Sequence, residues 1–225
     1  MVVIDSRAAG LFNDVIMDYK SIAVCFALPE EAGPFKKLCG PETPIFFTGI
    51  GKTNAEKAVR EYLAGHSPGL LLTCGFAGGL KAELKGGDVI FETSNEAIRA
   101  KLAAAGAQPA KIICMDKIAS TAAEKKKLRD ETSADAAEME SGAIQIVCRE
   151  RGVPCATVRV ISDAANEDLP LDFNEFLTPE KKVDMSKLML TVAKKPWKMG
   201  ALMELQKKTK LAAERLSDVL MKMIE

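Results

Sequence analysis

The sequence predicts an α/β fold in which helices pack on a largely parallel sheet. Short apolar runs rich in Val, Ile and Phe alternate with segments in which apolar residues recur at helical spacing, and this strand-helix-strand pattern repeats. With 225 residues, 48% of them hydrophobic, the chain is long enough to bury a full-sized core. We therefore expect a single domain over residues 1–225, with no internal repeat or low-complexity linker.

Each predicted element follows from this alternation. Continuous apolar runs of four to eight residues are typical of strands that are buried on both faces of a sheet. The predicted strands are SIAVCFAL (21–28), PIFFTGIG (44–51), LLLTCG (70–75), DVIFE (88–92), KIICM (111–115) and CATVRVIS (155–162). The predicted helices, which have apolar residues at steps of three and four, cover 30–39, 52–65, 94–105, 121–131 and 138–151.

The two ends of the chain differ from this core pattern. Residues 1–20 contain three aspartates and lack the basic-then-apolar order of a secretory signal, so we expect an N-terminal extension or an extra helix there. Residues 197–224 have apolar side chains at alternating steps of three and four among Lys, Glu and Arg, which predicts one long amphipathic helix. This helix either packs on its own domain or contacts a partner helix or a membrane surface.

Composition excludes several function classes. The 31 basic and 31 acidic residues cancel, so no global positive field would attract nucleic acid. No apolar run approaches the roughly 20 residues of a membrane span, so we expect no integral membrane contact, and peripheral contact through the C-terminal helix stays open. The six cysteines have no zinc-like spacing and the single histidine, His66, has no ligand pattern beside it. We expect a cytoplasmic protein with no metal and no cofactor.

The stretch DAAEMESGAI (135–144) places two acids among apolar residues. A helix that begins near Glu138 would favour an acid in its first turn, so Glu138 has a simple structural explanation. Glu140 lies about 200° further around such a helix, so the two acids cannot face the same surroundings. We expect one of them to point toward the sheet, where hydroxyl groups of a ligand would supply its partners.

Other candidate residues follow strands. Glu31 comes just after the first predicted strand, and Asp163 comes directly after CATVRVIS. In open α/β sheets, ligands gather beyond the carboxyl ends of the strands. The glycine-rich run CGFAGGL (74–80) also follows a strand, and we interpret it as a turn where the backbone can approach a ligand closely.

Five motifs in order carry a specific resemblance. They are LPEEA, FFTGIGKTNAEKA, TCGFAGGL with KGGD, AEMESGAI, and VRVISDAAN, within residues 21 to about 177. In this order they resemble the 5′-methylthioadenosine/S-adenosylhomocysteine nucleosidases, which belong to the wider nucleoside phosphorylase superfamily. The resemblance implies a three-layer α/β/α sandwich around a mixed sheet, a nucleoside as substrate and assembly as a homodimer.

The resemblance also assigns roles to individual residues. It implies that Glu31 orients and deprotonates the attacking water, and that Asp163, preceded by Ser162, donates a proton toward N7 of the departing purine. Glu140 would grip the ribose hydroxyls with Met139 beside the sugar, and Phe173 would close over the ligand. The loop under the sugar would comprise Gly75, Phe76, Ala77, Gly78 and Gly79, and Lys117 or Ile118 would stand where the family places an adenine-stacking aromatic.

The chemistry explains these residue types. Cleavage of a ribosyl C–N bond builds positive charge on the sugar and negative charge on the base, so the site needs a proton donor for the base and negative groups near the ribose. Asp163 must therefore hold a proton that Glu31 must lack, which requires different surroundings for the two acids. We expect a hydrolase that releases adenine, because the acids after the first strand would repel phosphate.

Other activities stay open. A phosphorylase would bind phosphate through arginines such as Arg60, Arg99 or Arg159. Phe76 and the missing aromatic depart from the methylthioadenosine pattern, and the tail resembles hopanoid-associated superfamily members that act on adenosylhopane. A nucleoside-binding module that has lost turnover would have the same fold.

Overall fold

A computed structural model describes residues 21–224, so the extension predicted over 1–20 lies outside the described residues. The strands are β1 (Ile22–Phe26), β2 (Ile45–Phe47), β3 (Leu70–Gly79), β4 (Val89–Glu92), β5 (Gln108–Pro109), β6 (Ile112–Cys114), β7 (Ala136–Glu138) and β8 (Cys155–Asp163). The helices are α1 (Pro29–Leu38), α2 (Lys52–Gly65), α3 (Glu96–Ala105), α4 (Ala122–Thr132), α5 (Ser141–Arg151), α6 (Met185–Lys194) and α7 (Met199–Ile224). Short 3₁₀ helices cover Phe173–Phe176 and Pro196–Lys198.

The sheet is mixed, and most of its strand pairs are parallel. Its main path has the order β2-β1-β3-β8-β4-β5, and β7 joins β3 to β6 at one end. The β1–β2, β1–β3, β3–β8, β4–β5 and β6–β7 pairs are parallel, whereas β4–β8 and β3–β7 are antiparallel. The α/β fold with a mixed central sheet is therefore confirmed, and the purely pattern-based expectation of a largely parallel sheet missed the two antiparallel pairs.

Helices cover both faces of this sheet because its strands present apolar side chains on both sides. Along β1, Val24 and Phe26 belong to a cluster with α1, α3 and α7, whereas Ala23 and Cys25 belong to a cluster with α2 and α5. Alternate residues of a strand point to opposite faces, so one apolar run contributes to two core layers. The result is the three-layer arrangement that the resemblance implies.

Two local predictions were wrong. The helix predicted over 138–151 begins only at Ser141, because Ala136–Glu138 forms strand β7 between β3 and β6. The run predicted as a glycine-rich turn is the second half of β3, which continues to Gly79. In both places pairing with distant strands overrides the local pattern, and β-structure depends on such context more than helices do.

The last helix has two halves with different surroundings. From Ala212 onward α7 buries Leu216, Leu220 and Met223 in the core cluster shared with α1 and α3. Its first half contains no buried residue, and neither does α6. Across residues 21–224 no helix has the length and apolar character needed to cross a membrane.

Candidate active site

A cavity of about 240 Å³ lies beyond the carboxyl ends of β1, β3 and β8. Eleven of the thirteen site candidates named from the resemblance line it, namely Glu31, Phe76, Ala77, Gly78, Lys117, Ile118, Met139, Glu140, Ser162, Asp163 and Phe173. Three of these are acids that are distant along the chain and at most 8% exposed. The structure therefore brings the predicted acids to one cavity at the edge where α/β sheets place their ligands.

Glu31 reaches this cavity from the first turn of α1. Its Oε2 accepts a hydrogen bond of 2.9 Å from the Leu28 N–H, and its Oε1 accepts one of 2.9 Å from the Phe76 N–H. Burial raises the pKa of Glu31, while the two backbone donors and the positive charge of Arg159 act in the opposite direction. The contact with Leu28 also stabilises the start of α1, so the carboxylate joins the helix to the centre of β3.

Gly75 and Gly79 are the two candidates that do not line the cavity, and Gly75 has a different role. Its φ is +151°, and a Cβ added at this position would lie 2.6 Å from Oε1 of Glu31. Only glycine combines this backbone conformation with such a close approach. Gly75 therefore fixes where Glu31 lies, in a strand rather than in the turn that the sequence predicted.

A β-bulge places Asp163. Ala77 pairs with Ile161 and Gly78 pairs with Asp163, so Ser162 is an extra residue on β8. Bulges bend a strand and re-aim the side chains that follow, and they are frequent next to active sites. The Ser162 hydroxyl donates to Oδ1 of Asp163 at 2.5 Å, which fixes one side of the carboxylate.

Lys125 fixes the other side, and the sequence did not single it out. Its ammonium Nζ lies 2.5 Å from Oδ2 of Asp163 and donates hydrogen bonds of 2.8 Å to the carbonyls of Ala164 and Glu167. The side chain is fully buried although it lies on α4 within the charged run EKKK. All three ammonium protons have acceptors, so Lys125 provides a fixed positive charge against Asp163.

Glu138 does not start a helix but ends β7 in a buried ion pair. Its Oε2 lies 2.6 Å from the Arg159 guanidinium, and its oxygens also accept from the Ser141 hydroxyl and from the Glu140 and Ser141 N–H groups. Burial acts to raise the pKa of Glu138. The positive charge of Arg159 and these hydrogen-bond donors outweigh that effect, so the pKa lies below its usual value. Arg159 in turn donates to the carbonyl and hydroxyl of Thr73 on β3. The Glu138–Arg159 pair therefore links β7, β8 and β3 next to the cavity.

Glu140 lies beside this pair and faces the cavity. Oε1 accepts a 2.7 Å hydrogen bond from the N–H of Gly51, the residue that precedes α2. Burial and the nearby Glu138 carboxylate raise the pKa of Glu140 to about 7, against the opposing effects of Arg159 and Gly51. Within protein contacts, both oxygens accept only backbone hydrogen bonds, from Gly51 and from Met139. A carboxylate held this way is suited to accept hydrogen bonds from ligand hydroxyls.

A side-chain network forms the opposite wall. The amide of Asn174 accepts from the N–H of Ile118 at 2.9 Å and donates to its carbonyl at 2.8 Å. Asp172 accepts from Asn174 and from the Ser120 hydroxyl, which joins residues 118–120 to the 3₁₀ helix that carries Phe173. No aromatic side chain comes from residues 117–119 of this wall, where Lys117 and Ile118 line the cavity instead.

The three arginines considered as phosphate ligands lie elsewhere. Arg60 pairs with Glu56 and Glu150 between α2 and α5. Arg99 contacts Glu96 and the carbonyl of Thr93, and Arg159 is buried against Glu138. None of the three lines the cavity, whose basic members are Lys117 and Lys125.

The fold resembles that of nucleoside phosphorylases and nucleoside hydrolases, and comparisons with known proteins point the same way. The family model described as "Phosphorylase superfamily" matches residues 92–194. This match and the curated relatives agree with the resemblance that the motifs carry, so the chain is similar to the 5′-methylthioadenosine/S-adenosylhomocysteine nucleosidases. A nucleosidase of that name from Shewanella halifaxensis is 27% identical over 176 residues, covering 63% of this chain and 76% of the relative.

Other relatives carry a different substrate name. The aminodeoxyfutalosine nucleosidase of Campylobacter jejuni is 26% identical over 191 residues, covering 66% of this chain and 80% of the relative. Among solved structures, the futalosine hydrolase of Helicobacter pylori matches 92% of this chain and 97% of its own with a TM-score of 0.69 at 18% identity. The C. jejuni 5′-methylthioadenosine/S-adenosylhomocysteine nucleosidase matches with a TM-score of 0.68 at 19% identity, over 92% of this chain and 99% of its own. At these identities the structural matches support the fold.

Proposed function

We propose that this chain is an N-glycosyl hydrolase that cleaves the bond between ribose and base in an adenine nucleoside and releases adenine. The observation that carries the proposal is the meeting of Glu31, Glu140 and Asp163 in one cavity. An acid for the base, a base for water and an acceptor for the ribose hydroxyls are the three groups that this reaction needs. The relatives named above are nucleosidases, which supports the same class of reaction.

In the proposed reaction Glu31 takes a proton from a water molecule, whose oxygen bonds to C1′ of the ribose. The C1′–N9 bond breaks, its electron pair stays with the purine, and Asp163 supplies a proton to N7. Free adenine and the ribosyl product leave, and proton exchange with solvent returns the proton from Glu31 to Asp163. Glu140 accepts hydrogen bonds from the ribose hydroxyls, and Met139 and Phe173 enclose the sugar.

Charge supports this division of roles. Glu31, Glu138 and Glu140 share the single positive charge of Arg159, so the ribose side of the cavity is an acidic environment. Such an environment stabilises the positive charge that develops on the ribose as the bond breaks. On the purine side, the Lys125 ammonium contacts Asp163 and stabilises the carboxylate that remains after the proton has left.

Lys125 is therefore a positioning residue in this proposal. It touches Asp163 and two backbone carbonyls, and it has no free proton for the substrate. The Ser162 hydroxyl and the Lys125 ammonium hold the two oxygens of Asp163 from opposite sides. Lys125 thus holds the carboxyl group of Asp163 in place for the proposed proton transfer to the purine.

Water rather than phosphate is the proposed nucleophile. Glu31 is a buried acid that lines the cavity, and its carboxylate would repel a phosphate dianion bound nearby. The arginines that would make bidentate contacts with phosphate are engaged outside the cavity. Six free thiols fit a reducing cytoplasm, and a homodimer remains part of the proposal on the strength of the resemblance.

Base release tests the proposal directly. The protein is incubated with methylthioadenosine, S-adenosylhomocysteine, aminodeoxyfutalosine, adenosine and inosine, each with and without phosphate, and free base is measured by chromatography. We expect adenine from at least one adenine nucleoside in phosphate-free buffer. Release that requires phosphate would make the protein a phosphorylase, and binding of a nucleoside without base release would make it a binding module.

A further inference from the structure

Exposed apolar side chains are concentrated in one segment of the molecule. Eight of the eleven large apolar residues that are exposed within residues 21–224 lie between positions 183 and 211, namely Val183, Met185, Met189, Leu190, Trp197, Met199, Met203 and Leu211. Here "the arm" denotes α6, the 3₁₀ turn Pro196–Lys198 and the first half of α7, Met199–Leu211. Trp197 is 71% exposed and Met189 is 68% exposed. Side chains of this kind in one continuous segment mark a contact surface.

The arm is also basic. Residues 185–211 contain seven lysines and one acidic residue, although the formal charge of the whole chain is zero. In α6, Met185 and Met189 are one turn apart on one side, whereas Lys187 and Lys194 lie about 140–200° around the helix from them. The two methionines and the two lysines of α6 therefore face different directions.

This combination fits an anionic lipid surface. Helices that lie in a membrane interface bury an apolar side just below the headgroups and keep lysines at the headgroup level. Tryptophan favours the same depth, and each lysine near the surface adds attraction to anionic lipids. A second copy of the chain fits less well, because a two-fold contact would bring the same lysine-rich segment against itself.

We propose that the arm docks the protein on anionic lipid bilayers as a peripheral contact. The second half of α7 anchors the arm in the core through Leu216, Leu220 and Met223. Within the arm, Leu205 and Thr209 line the candidate cavity. Docking through the arm therefore brings that cavity next to the lipid surface. This proposal rests on the surface of the arm and does not require the nucleosidase reaction.

Trp197 gives a direct probe because it is the only tryptophan in the chain. Its emission is recorded while vesicles of phosphatidylglycerol and phosphatidylcholine are added, and bound protein is measured by co-sedimentation. We expect a blue shift and binding with these vesicles, weaker binding with phosphatidylcholine alone, and loss of binding as salt rises. Red-shifted emission that stays unchanged with the anionic vesicles would overturn the proposal.

Variants of the arm separate the apolar contribution to vesicle binding from the electrostatic contribution. Met189→Glu with Leu190→Glu removes the apolar contact, and its matched control is Ile146→Glu, an exposed apolar residue on α5 at the other face of the sheet. Lys194→Glu with Lys195→Glu and Lys198→Glu reverses the charge, and Lys126→Glu with Lys127→Glu on α4 is its control. We expect each arm variant to lower vesicle binding by roughly tenfold or more and each control to bind like the unaltered protein.

Two outcomes would assign the arm to another occupant. If Met189→Glu with Leu190→Glu converts a dimer to a monomer in sedimentation and leaves vesicle binding unchanged, the arm is an interface between copies of this chain. If arm and control variants bind vesicles equally, the arm is not the lipid contact. Circular dichroism of each variant establishes that it is folded. Base release is measured in parallel without vesicles, and this measurement distinguishes a failure of lipid docking from a failure of the proposed enzyme activity.

Discussion

The ammonium of Lys125 lies 2.5 Å from Oδ2 of Asp163, and both side chains are buried. A buried ion pair costs desolvation for both ions, and loss of one partner leaves an uncompensated charge. The pair joins α4 to the end of β8, 38 positions further along the chain, which is also where the proposed acid stands. The contribution of the Lys125–Asp163 pair to stability and its proposed role in catalysis can be separated by experiment.

We expect Lys125→Met to lower turnover by about 10²-fold, because the carboxylate of Asp163 loses its position and its counter-charge. KM should change by no more than a few-fold, since Lys125 has no proton free for the substrate. Lys126→Met, on the same helix and exposed, should behave like the unaltered enzyme. Steady-state kinetics of base release measure both effects.

A double variant tests whether stability alone explains the loss. Lys125→Met should reduce the free energy of unfolding by about 3–5 kcal/mol, because an unpaired carboxylate stays buried. Adding Asp163→Asn removes that charge and should restore part of the stability while turnover stays low. If turnover recovers together with stability in the double variant, Lys125 has only a structural role.

Asp163→Asn alone should reduce turnover far more than nucleoside binding. The proton on Asp163 is needed mainly in the transition state, so its loss should cost about 10²–10⁴-fold in kcat. The carboxamide can still accept from the Ser162 hydroxyl and preserves the shape of the site. Asp130→Asn, an exposed acid on α4, is the matched control. Calorimetric binding of a nucleoside with kinetics of base release separates the two effects, and equal turnover would contradict the assigned role.

Two glycines should respond to alanine with opposite signs. Gly75→Ala places a Cβ 2.6 Å from Oε1 of Glu31 at a φ of +151°, so Glu31 must move. We expect a loss of about 1–3 kcal/mol in stability and a drop in turnover. Gly200 lies within α7 with no atom near its added Cβ, so Gly200→Ala should be neutral or stabilising by about 0.5–1 kcal/mol. Thermal unfolding and base release measure both, and equal effects of the two substitutions would refute the role of Gly75.

The sequence predicted most elements because their patterns are local. IAVCF becomes β1 with side chains in two core clusters, and the helix predicted over 52–65 is α2 with identical bounds. Strand β7 escaped prediction because its three residues are held by β3 and β6, which lie far away along the chain. Helix α6 was not predicted from the sequence. None of its residues is buried, so it has no stripe of side chains that faces the core.

The same distinction applies to the site. Glu31 and Asp163 were selected as candidate site residues because they follow strands and belong to ordered motifs. Both features can be read directly from the sequence. Lys125 sits in EKKK, a pattern that indicates a solvated helix surface, and only the approach of α4 to the end of β8 buries it. Glu138 was interpreted as a helix-start acid because its partner, Arg159, lies 21 positions away. When the partner of a charged residue lies far away along the chain, the local sequence does not show that the residue is paired.

The raised pKa of Glu140 predicts a stability cost at neutral and alkaline pH. The pKa of Glu140 is about 7 in the folded protein, whereas the unfolded chain releases this proton near the ordinary glutamate pKa of 4.5. The folded state therefore binds more protons in this window, and the free energy of unfolding falls as pH rises through it. Glu140→Gln has no such titration, and its amide oxygen can still accept from the Gly51 N–H.

We expect Glu140→Gln to be more stable than the unaltered protein at pH 8, by on the order of 1–3 kcal/mol, and to gain much less at pH 5. Glu30→Gln, an exposed neighbour of Glu31, should show no pH-dependent gain. Denaturant unfolding at the two pH values measures the difference, and an equal gain at both would contradict the raised pKa. The same Glu140→Gln protein should bind nucleosides more weakly, because an amide accepts less strongly from ribose hydroxyls than a carboxylate does. A variant that gains stability while it loses ligand affinity would identify Glu140 as an acid kept for binding rather than for folding.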